Sequence, residues 1–317
     1  MKVGLYCTSI SGNDSQTTAF IQELKASAFN TVVIWTLFVH DDGSIWWNGS
    51  PLVQNGQLQV DWLPAIIESI KTPPTTVETV LFSIGAGGGN GQPNLTWKRI
   101  NDQLSDATKA PALIQNFQAL AASLPVDGFD FDDEDYYEQF AVTQVAEIFN
   151  TPTPRTVTFC PYTNASFWNG CLPPIYTWGQ QQVPARGQPV QWMNLQCYAG
   201  SNSDAQDLVN TFATSISGTT GTGVGGFYEA QAFIVPGLTV GNSYYTYTPY
   251  DIQNTFQTVS GVGGGWLWNS GLIEQGNYTL YDYAVAIING LNGSSASSQE
   301  DGAKVTPARP GRKRPAG

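Results

Sequence analysis

VDGFDFDDED, residues 126–135, places six carboxylates in ten residues of a 317-residue chain that holds 25 in all. A solvated acidic run has no use for Phe129 and Phe131 threaded between its charges. Side chains of an extended strand alternate between two faces. Asp130, Asp132 and Glu134 then share one face, and Phe129, Phe131 and Asp133 take the other. A closed barrel wrapped by helices suits such a strand. The phenylalanines pack outward beneath helices, and the acids line the interior near the C-terminal mouth, where such barrels place their chemistry.

The flanking sequence supports that reading. Apolar, β-branched runs at 3–7, 31–38, 79–84, 128–132, 156–160, 191–196, 232–235 and 265–268 predict eight strands. Amphipathic stretches at 18–27, 62–70, 112–123, 140–149, 205–215, 251–258 and 280–291 predict the helices between them. The connection 161–189, with Phe167 and Trp168, reads as irregular. Eight such repeats fit one α/β domain over residues 1–292, a single (β/α)8 TIM barrel. A doubly wound open sheet is the competitor, but it wants a Gly-rich phosphate turn after the first strand. SISGND at 9–14 supports that only weakly. Residues 293–317 lack periodicity and hydrophobes and predict a disordered basic tail.

Charge narrows the partners. The formal net charge is −12, and residues 300–317 hold five Lys/Arg against Glu300 and Asp301, which leaves −15 on the rest. Nucleic acid and anionic membrane are poor partners for such a surface. Cys7, Cys160, Cys171 and Cys197 form no metal-binding spacing, and His40 is the only histidine. Cys160 and Cys171 are free to pair, although buried thiols are the expectation. MKVGLYCTSI lacks an apolar leader core and reads as the first strand. The low Lys content with abundant Asn, Thr and Gly favours an extracellular setting, and the chain is expected to be a monomer.

Carboxylates spaced two residues apart on one buried face oppose each other's ionisation. The row is expected to share a proton and to keep an acid ready to protonate a leaving-group oxygen. A Ca²⁺ loop also spaces acids by two, but it wants Gly at its sixth position, where counting from Asp127 gives Asp132. A structural ion-pair cluster would need more basic partners than this chain supplies.

Asp127, Asp130, Asp132 and Glu134 reproduce the DxxDxDxE signature, and on this stretch the chain resembles glycoside hydrolase family 18. Ser83-Ile84-Gly85-Ala86 is similar to that family's SxGG motif, with Ala for the last Gly. Residues 193–198, Met193-Asn194-Leu195-Gln196-Cys197-Tyr198, resemble its sixth-strand motif, and Gly265-Trp266-Leu267-Trp268 resembles its eighth strand. The resemblance covers about residues 1–291, and only the fourth-strand motif is highly specific.

The resemblance implies retaining, substrate-assisted hydrolysis of β-1,4-linked N-acetylglucosamine, without a cofactor or metal. In that scheme Glu134 is the acid and then the base. Asp132 holds the substrate's acetamido group, and Asp130 shares a proton with Asp132. Tyr198 and Gln196 bond the acetamido oxygen, and Trp268 floors the sugar. Tyr6, Ser83 and Met193 complete the substrate-binding set. Asp133, where many chitinases carry Trp or Tyr, resembles instead the endo-β-N-acetylglucosaminidases that cut the N-glycan core. The expected substrate is therefore chitin or chito-oligosaccharide, with the N-glycan core as the alternative. A lectin on the same barrel is the reading from another class. The aromatic load, with 10 Trp, 14 Tyr and 15 Phe, suits a large core plus a groove where rings stack on sugars.

Overall fold

The computed structural model describes residues 1–89, 91–198, 204–218, 231–241 and 246–293. The strands are β1 (Lys2–Cys7), β2 (Thr31–Val39), β3 (Ile45–Trp47), β4 (Ser50–Gln54), β5 (Gln57–Leu58), β6 (Thr79–Ala86), β7 (Gly128–Asp133), β8 (Thr156–Phe159), β9 (Val190–Gln196), β10 (Ile234–Thr239) and β11 (Gly264–Trp268). The helices are α1 (Ser15–Lys25), α2 (Leu63–Lys71), α3 (Thr96–Leu104), α4 (Ala110–Ser123), α5 (Gln139–Phe149), α6 (Ala165–Gln181), α7 (Ala205–Gly218), α8 (Pro249–Gln257), α9 (Ser270–Glu274) and α10 (Leu280–Leu291).

Eight of the strands close a parallel barrel in the order β1, β2, β6, β7, β8, β9, β10, β11, and β11 pairs back onto β1. β3, β4 and β5 form an antiparallel excursion on the C-terminal end of β2. The expected eightfold alternation is therefore the observed fold, with the excursion, α3 and α9 added to it. The basic tail expected at 293–317 lies, apart from Gly293, outside the described residues.

β7 shows why the acidic strand is a strand. Phe129 stacks on Phe149 of α5 at 3.8 Å, and Phe131 meets Trp97 of α3 at 5.2 Å. Both phenylalanines are fully buried under the helical layer. Burying such a ring contributes about 2 kcal/mol, enough to hold the strand while its other face carries charge. Gly128 begins it because a Cβ there would stand 1.8 Å from the Thr156 carbonyl oxygen on β8. Lower in the barrel, Trp266 fills the interior against Tyr6 at 4.4 Å. Gly237 makes the room, since its Cβ would meet that indole at 1.9 Å.

One expectation is overturned. The stretch 161–189 is not irregular but contains the 17-residue helix α6, with Pro173 and Pro174 inside it. A proline ordinarily strands the carbonyl one turn back, because it has no N–H to give. Here the Gln139 side chain donates to the Gly170 carbonyl at 2.7 Å, replacing the bond that Pro174 cannot make. A neighbouring helix thus repairs what the local sequence breaks. Trp168, on the inner side of α6, is fully buried against Phe159 at 5.0 Å. All four cysteines are free thiols, Cys160 and Cys171 included.

Candidate active site

The strand ends at the C-terminal mouth surround a cavity of about 260 Å³. It is lined by Tyr6, Trp35, Ala86, Gly87, Asp132, Glu134, Cys160, Gln196, Tyr198 and Trp268. A larger hollow of about 600 Å³, lined by residues of α7 with Gln231, Ala232 and Gly261, holds no ionisable side chain among them. The ionisable side chains line the smaller one.

Asp130 lies deepest and is fully buried. It accepts hydrogen bonds from Tyr6 Oη (2.6 Å), Thr158 Oγ1 (2.5 Å) and Asn194 Nδ2 (2.9 Å). Burial lifts its pKa above the usual carboxylate range, and these three donors oppose the rise. The Ser83 hydroxyl, level with Asp130 in the β6–β7 register, pulls the same way as the donors without reaching full hydrogen-bond geometry.

Asp132 sits one pleat nearer the mouth, 3 % exposed. Its pKa is pushed well above the carboxylate range by desolvation first, then by the charges of Glu134 and Asp130. A hydrogen bond with Glu134 further favours the protonated form. Gln196 Nε2 donates to Asp132 Oδ1 and Glu134 Oε1, each at 3.1 Å, and also meets the Cys160 carbonyl at 3.1 Å. One amide nitrogen thus spans the two outer acids and fixes their separation.

Glycine leaves Glu134 its place. A Cβ at Gly87 would come within 2.6 Å of Glu134 Oε2. Gly85 adopts φ +91°, and a Cβ there would strike the Asp132 carbonyl oxygen at 2.3 Å. Ala86, the departure from the SxGG pattern, lines the cavity itself. Trp268 forms an aromatic wall with Trp35 edge-on at 5.0 Å and Tyr6 at 5.8 Å. Burial and the nearby Cys160, Asp132 and Glu134 raise the Tyr198 pKa, so its hydroxyl keeps its proton and can donate.

Of the residues anticipated from sequence, the fold brings Tyr6, Asp130, Asp132, Glu134, Gln196, Tyr198 and Trp268 together. Ser83 is fully buried below them. Met193 is also fully buried, and the pleat of β9 turns it to the face opposite Asn194 and Gln196. Sequence reasoning missed Trp35, Gly87, Cys160, Thr158 and Asn194. Asn194 was within reach, since period two along β9 puts it on the same face as Gln196. Trp35 follows the apolar residues Val32, Val33 and Ile34 with nothing to distinguish it.

The remaining acids of the run are structural. Asp127 pairs with Lys71 at 2.5 Å and accepts from the Val80 amide at 2.8 Å, below the start of β7. Asp133 points away from the cavity and accepts from the amides of Tyr136 and Glu138, both at 3.1 Å. Asp135 accepts from the Asn94 amide at 2.8 Å.

No family model and no curated protein sequence matches the chain. Solved structures do. A fungal endo-β-N-acetylglucosaminidase from glycosyl hydrolase family 18 superposes with a TM-score of 0.60 at 16 % identity, over 92 % of this chain and 99 % of that one. The C-terminal domain of Legionella pneumophila ChiA gives 0.59 at 14 %, over 91 % and 98 %. A chitinase-like agglutinin from Robinia pseudoacacia gives 0.55 at 12 %, over 90 % and 99 %. At these identities the likeness is one of fold: the chain carries, over nearly its whole described length, the barrel on which those proteins are built.

Proposed function

We propose that the chain hydrolyses β-1,4-linked N-acetylglucosamine glycans with retention, through the substrate's own acetamido group, and that chitin or chito-oligosaccharide is the substrate. The observation that carries this is the acid row itself, with Asp132 placed between Asp130 and Glu134, bridged to Glu134 by Gln196, and its pKa raised by burial and by both neighbouring charges. A nucleophilic carboxylate would have to be ionised and close to the anomeric carbon. Asp132, whose ionisation burial and its neighbours oppose, is suited instead to holding a neutral amide.

In the first step Glu134 gives its proton to the glycosidic oxygen as the bond from that oxygen to C1 breaks. The acetamido carbonyl oxygen bonds to C1, forming an oxazolinium ion, and the remaining sugar leaves as an alcohol. Asp132 holds the acetamido N–H, Tyr198 donates to its oxygen, and Trp268 stacks beneath the ring. In the second step the Glu134 carboxylate takes a proton from water, whose oxygen attacks C1 and reopens the oxazolinium ring to the acetamido group, its N–H kept throughout. Two displacements at C1 leave its configuration unchanged.

The N-glycan core carries the same acetamido group and remains the second substrate. Asp133 does not choose between the two, because its side chain turns from the cavity into the turn before α5. A reducing-end assay on chitohexaose and a high-mannose glycopeptide, run side by side, decides. Cleavage of the glycopeptide alone reassigns the substrate, and binding without cleavage of either makes the protein a lectin. Glu134→Gln is expected to lose about 10²- to 10⁴-fold in kcat and to keep ligand affinity. Hydrolysis of cello-oligosaccharides, which lack the acetamido group, would overturn the mechanism.

A further inference from the structure

The last third of the chain repeats a five-residue phrase: residues 247–251 read YTPYD and residues 278–282 read YTLYD. Each phrase opens a helix in the same way. Thr248 caps α8 and Thr279 caps α10, each in a reciprocal capping box with the aspartate three residues on. Tyr250 and Tyr281 therefore occupy the same helical position, and each is 55 % exposed. Tyr247 and Tyr278, just before the caps, are 37 % and 41 % exposed. Among the described residues these four are the exposed tyrosines.

The two copies are fastened to each other. Tyr283 Oη donates to the Tyr247 carbonyl at 2.7 Å, while its ring lies 6.1 Å from that of Tyr278. At the far ends Gly290 lets the helices close, since a Cβ there would meet Phe256 Cβ at 2.6 Å. Start is matched to start and end to end, so α8 and α10 run parallel, with axes about 8–10 Å apart. Both phrases then stand on one rim, and that rim is the mouth of the barrel. The Tyr247 amide donates to the Val240 carbonyl (2.7 Å), and the Val240 amide donates to the carbonyl of Trp268 (2.8 Å) in the cavity wall.

The chemistry of the rim selects its ligand. The aspartates of both phrases are engaged by their own caps through Asp251 Oδ2 and Asp282 Oδ2. No Lys or Arg occurs between Arg186 and Lys304, so neither phrase carries or is flanked in sequence by a cation that would draw an anionic ligand. What the rim presents is flat rings with hydroxyl tips on capped helix ends, and a tyrosine has only two side-chain torsions to lose when covered. Flat apolar faces fringed with hydroxyls are what a neutral sugar chain offers in return.

We propose that the two phrases, through Tyr250, Tyr281 and Tyr278, form a second, non-catalytic surface that binds a neutral polysaccharide of β-linked N-acetylglucosamine beside the mouth. The identity of the polymer rests on the reading given under Proposed function; the rim's preference for a neutral sugar face does not.

The test is a depletion assay on insoluble chitin with Tyr250→Ala/Tyr281→Ala, read beside hydrolysis of soluble chitotriose. The expected result is retention on chitin weakened about tenfold with chitotriose turnover and melting temperature unchanged, and recovery of retention in Tyr250→Phe/Tyr281→Phe. Unchanged retention in the Ala variant, with wild type cleaving chito-oligosaccharides, overturns this proposal and leaves the catalytic one standing. Weakened retention in a protein that cleaves no oligomer sustains the surface and removes the catalytic reading. A wild-type dimer that the Ala substitutions dissolve, with retention intact, assigns the rim to a second copy of the chain and overturns the proposal.

Discussion

Asp132 and Asp133 are consecutive on β7 and almost equally buried, at 3 % and 2 % exposure, yet they belong to two different regions of the molecule. Desolvation raises both carboxyls and is the largest cause in each. Asp132 faces inward onto other carboxylates, which drive it further, to well above the carboxylate range. Asp133 faces outward onto the backbone amides of Tyr136 and Glu138, with those of Asp135 and Tyr137 adding to the pull, and stops at about 6. Burial alone therefore does not make an acid reactive. Facing negative charge stores a proton, whereas facing N–H groups ties down a turn.

The largest effect expected from this contrast is at the inward position. Asp132→Asn is isosteric and removes the carboxyl that stands between Asp130 and Glu134, so kcat is expected to fall about 10²- to 10⁴-fold. Stability should move the other way. The folded protein binds the Asp132 proton more tightly than the unfolded chain, so wild type loses stability as pH rises towards the folded pKa. The variant carries no such proton. Melting curves at acid and neutral pH should show it gaining on wild type, and a variant that loses activity and stability together would place Asp132 with the structural acids.

The outward position gives a smaller effect in a defined window. The folded pKa of Asp133 is about 6 against 3.8 for the unperturbed group. Its contribution to stability is complete below about pH 4 and is lost as pH rises to about 6, a change of about 3 kcal/mol. Asp133→Asn keeps an acceptor for the turn but cannot titrate. The difference in unfolding free energy between wild type and variant, measured from pH 4 to 7, should shift by about that amount in the variant's favour. Parallel curves would show that the amides already match the cost of burying the charge.

Much of this contrast was legible in the sequence, because a period of two is a property of backbone geometry and assigns every residue of β7 to a face. The barrel followed from eight apolar, β-branched runs alternating with amphipathic stretches. Illegible were the features that depend on a second element. Asp133 shows no mark of its role in the turn until the chain brings the Tyr136 and Glu138 amides back onto its carboxylate. Residues 161–189 read as irregular, yet a helix runs through Pro173 and Pro174 because Gln139, 35 residues before Pro174, donates to the Gly170 carbonyl from a neighbouring helix. Trp35 reads as core until the mouth closes around Trp268. Met193 shows the converse, a motif position whose parity already pointed away from the cavity.

The smallest change tests how tightly the inward face is built. Gly85 and Gly87 lie two residues apart at the end of β6, and both would crowd the acid row if given a Cβ. At Gly85 the added atom would meet immovable backbone at a φ of +91°, so Gly85→Ala is expected to cost stability before it affects chemistry. At Gly87 the obstacle is the tip of Glu134, which can swing aside. Gly87→Ala should therefore melt close to wild type and lose up to about 10²-fold in kcat, the scale of an ångström's misplacement of a catalytic group. Its KM should change less than its kcat, since the sugar's contacts with Trp268 and Tyr198 are untouched. Wild-type kcat in this variant would mean that Glu134 reaches the glycosidic oxygen from more than one position, and that the bridge from Gln196 does not set its aim.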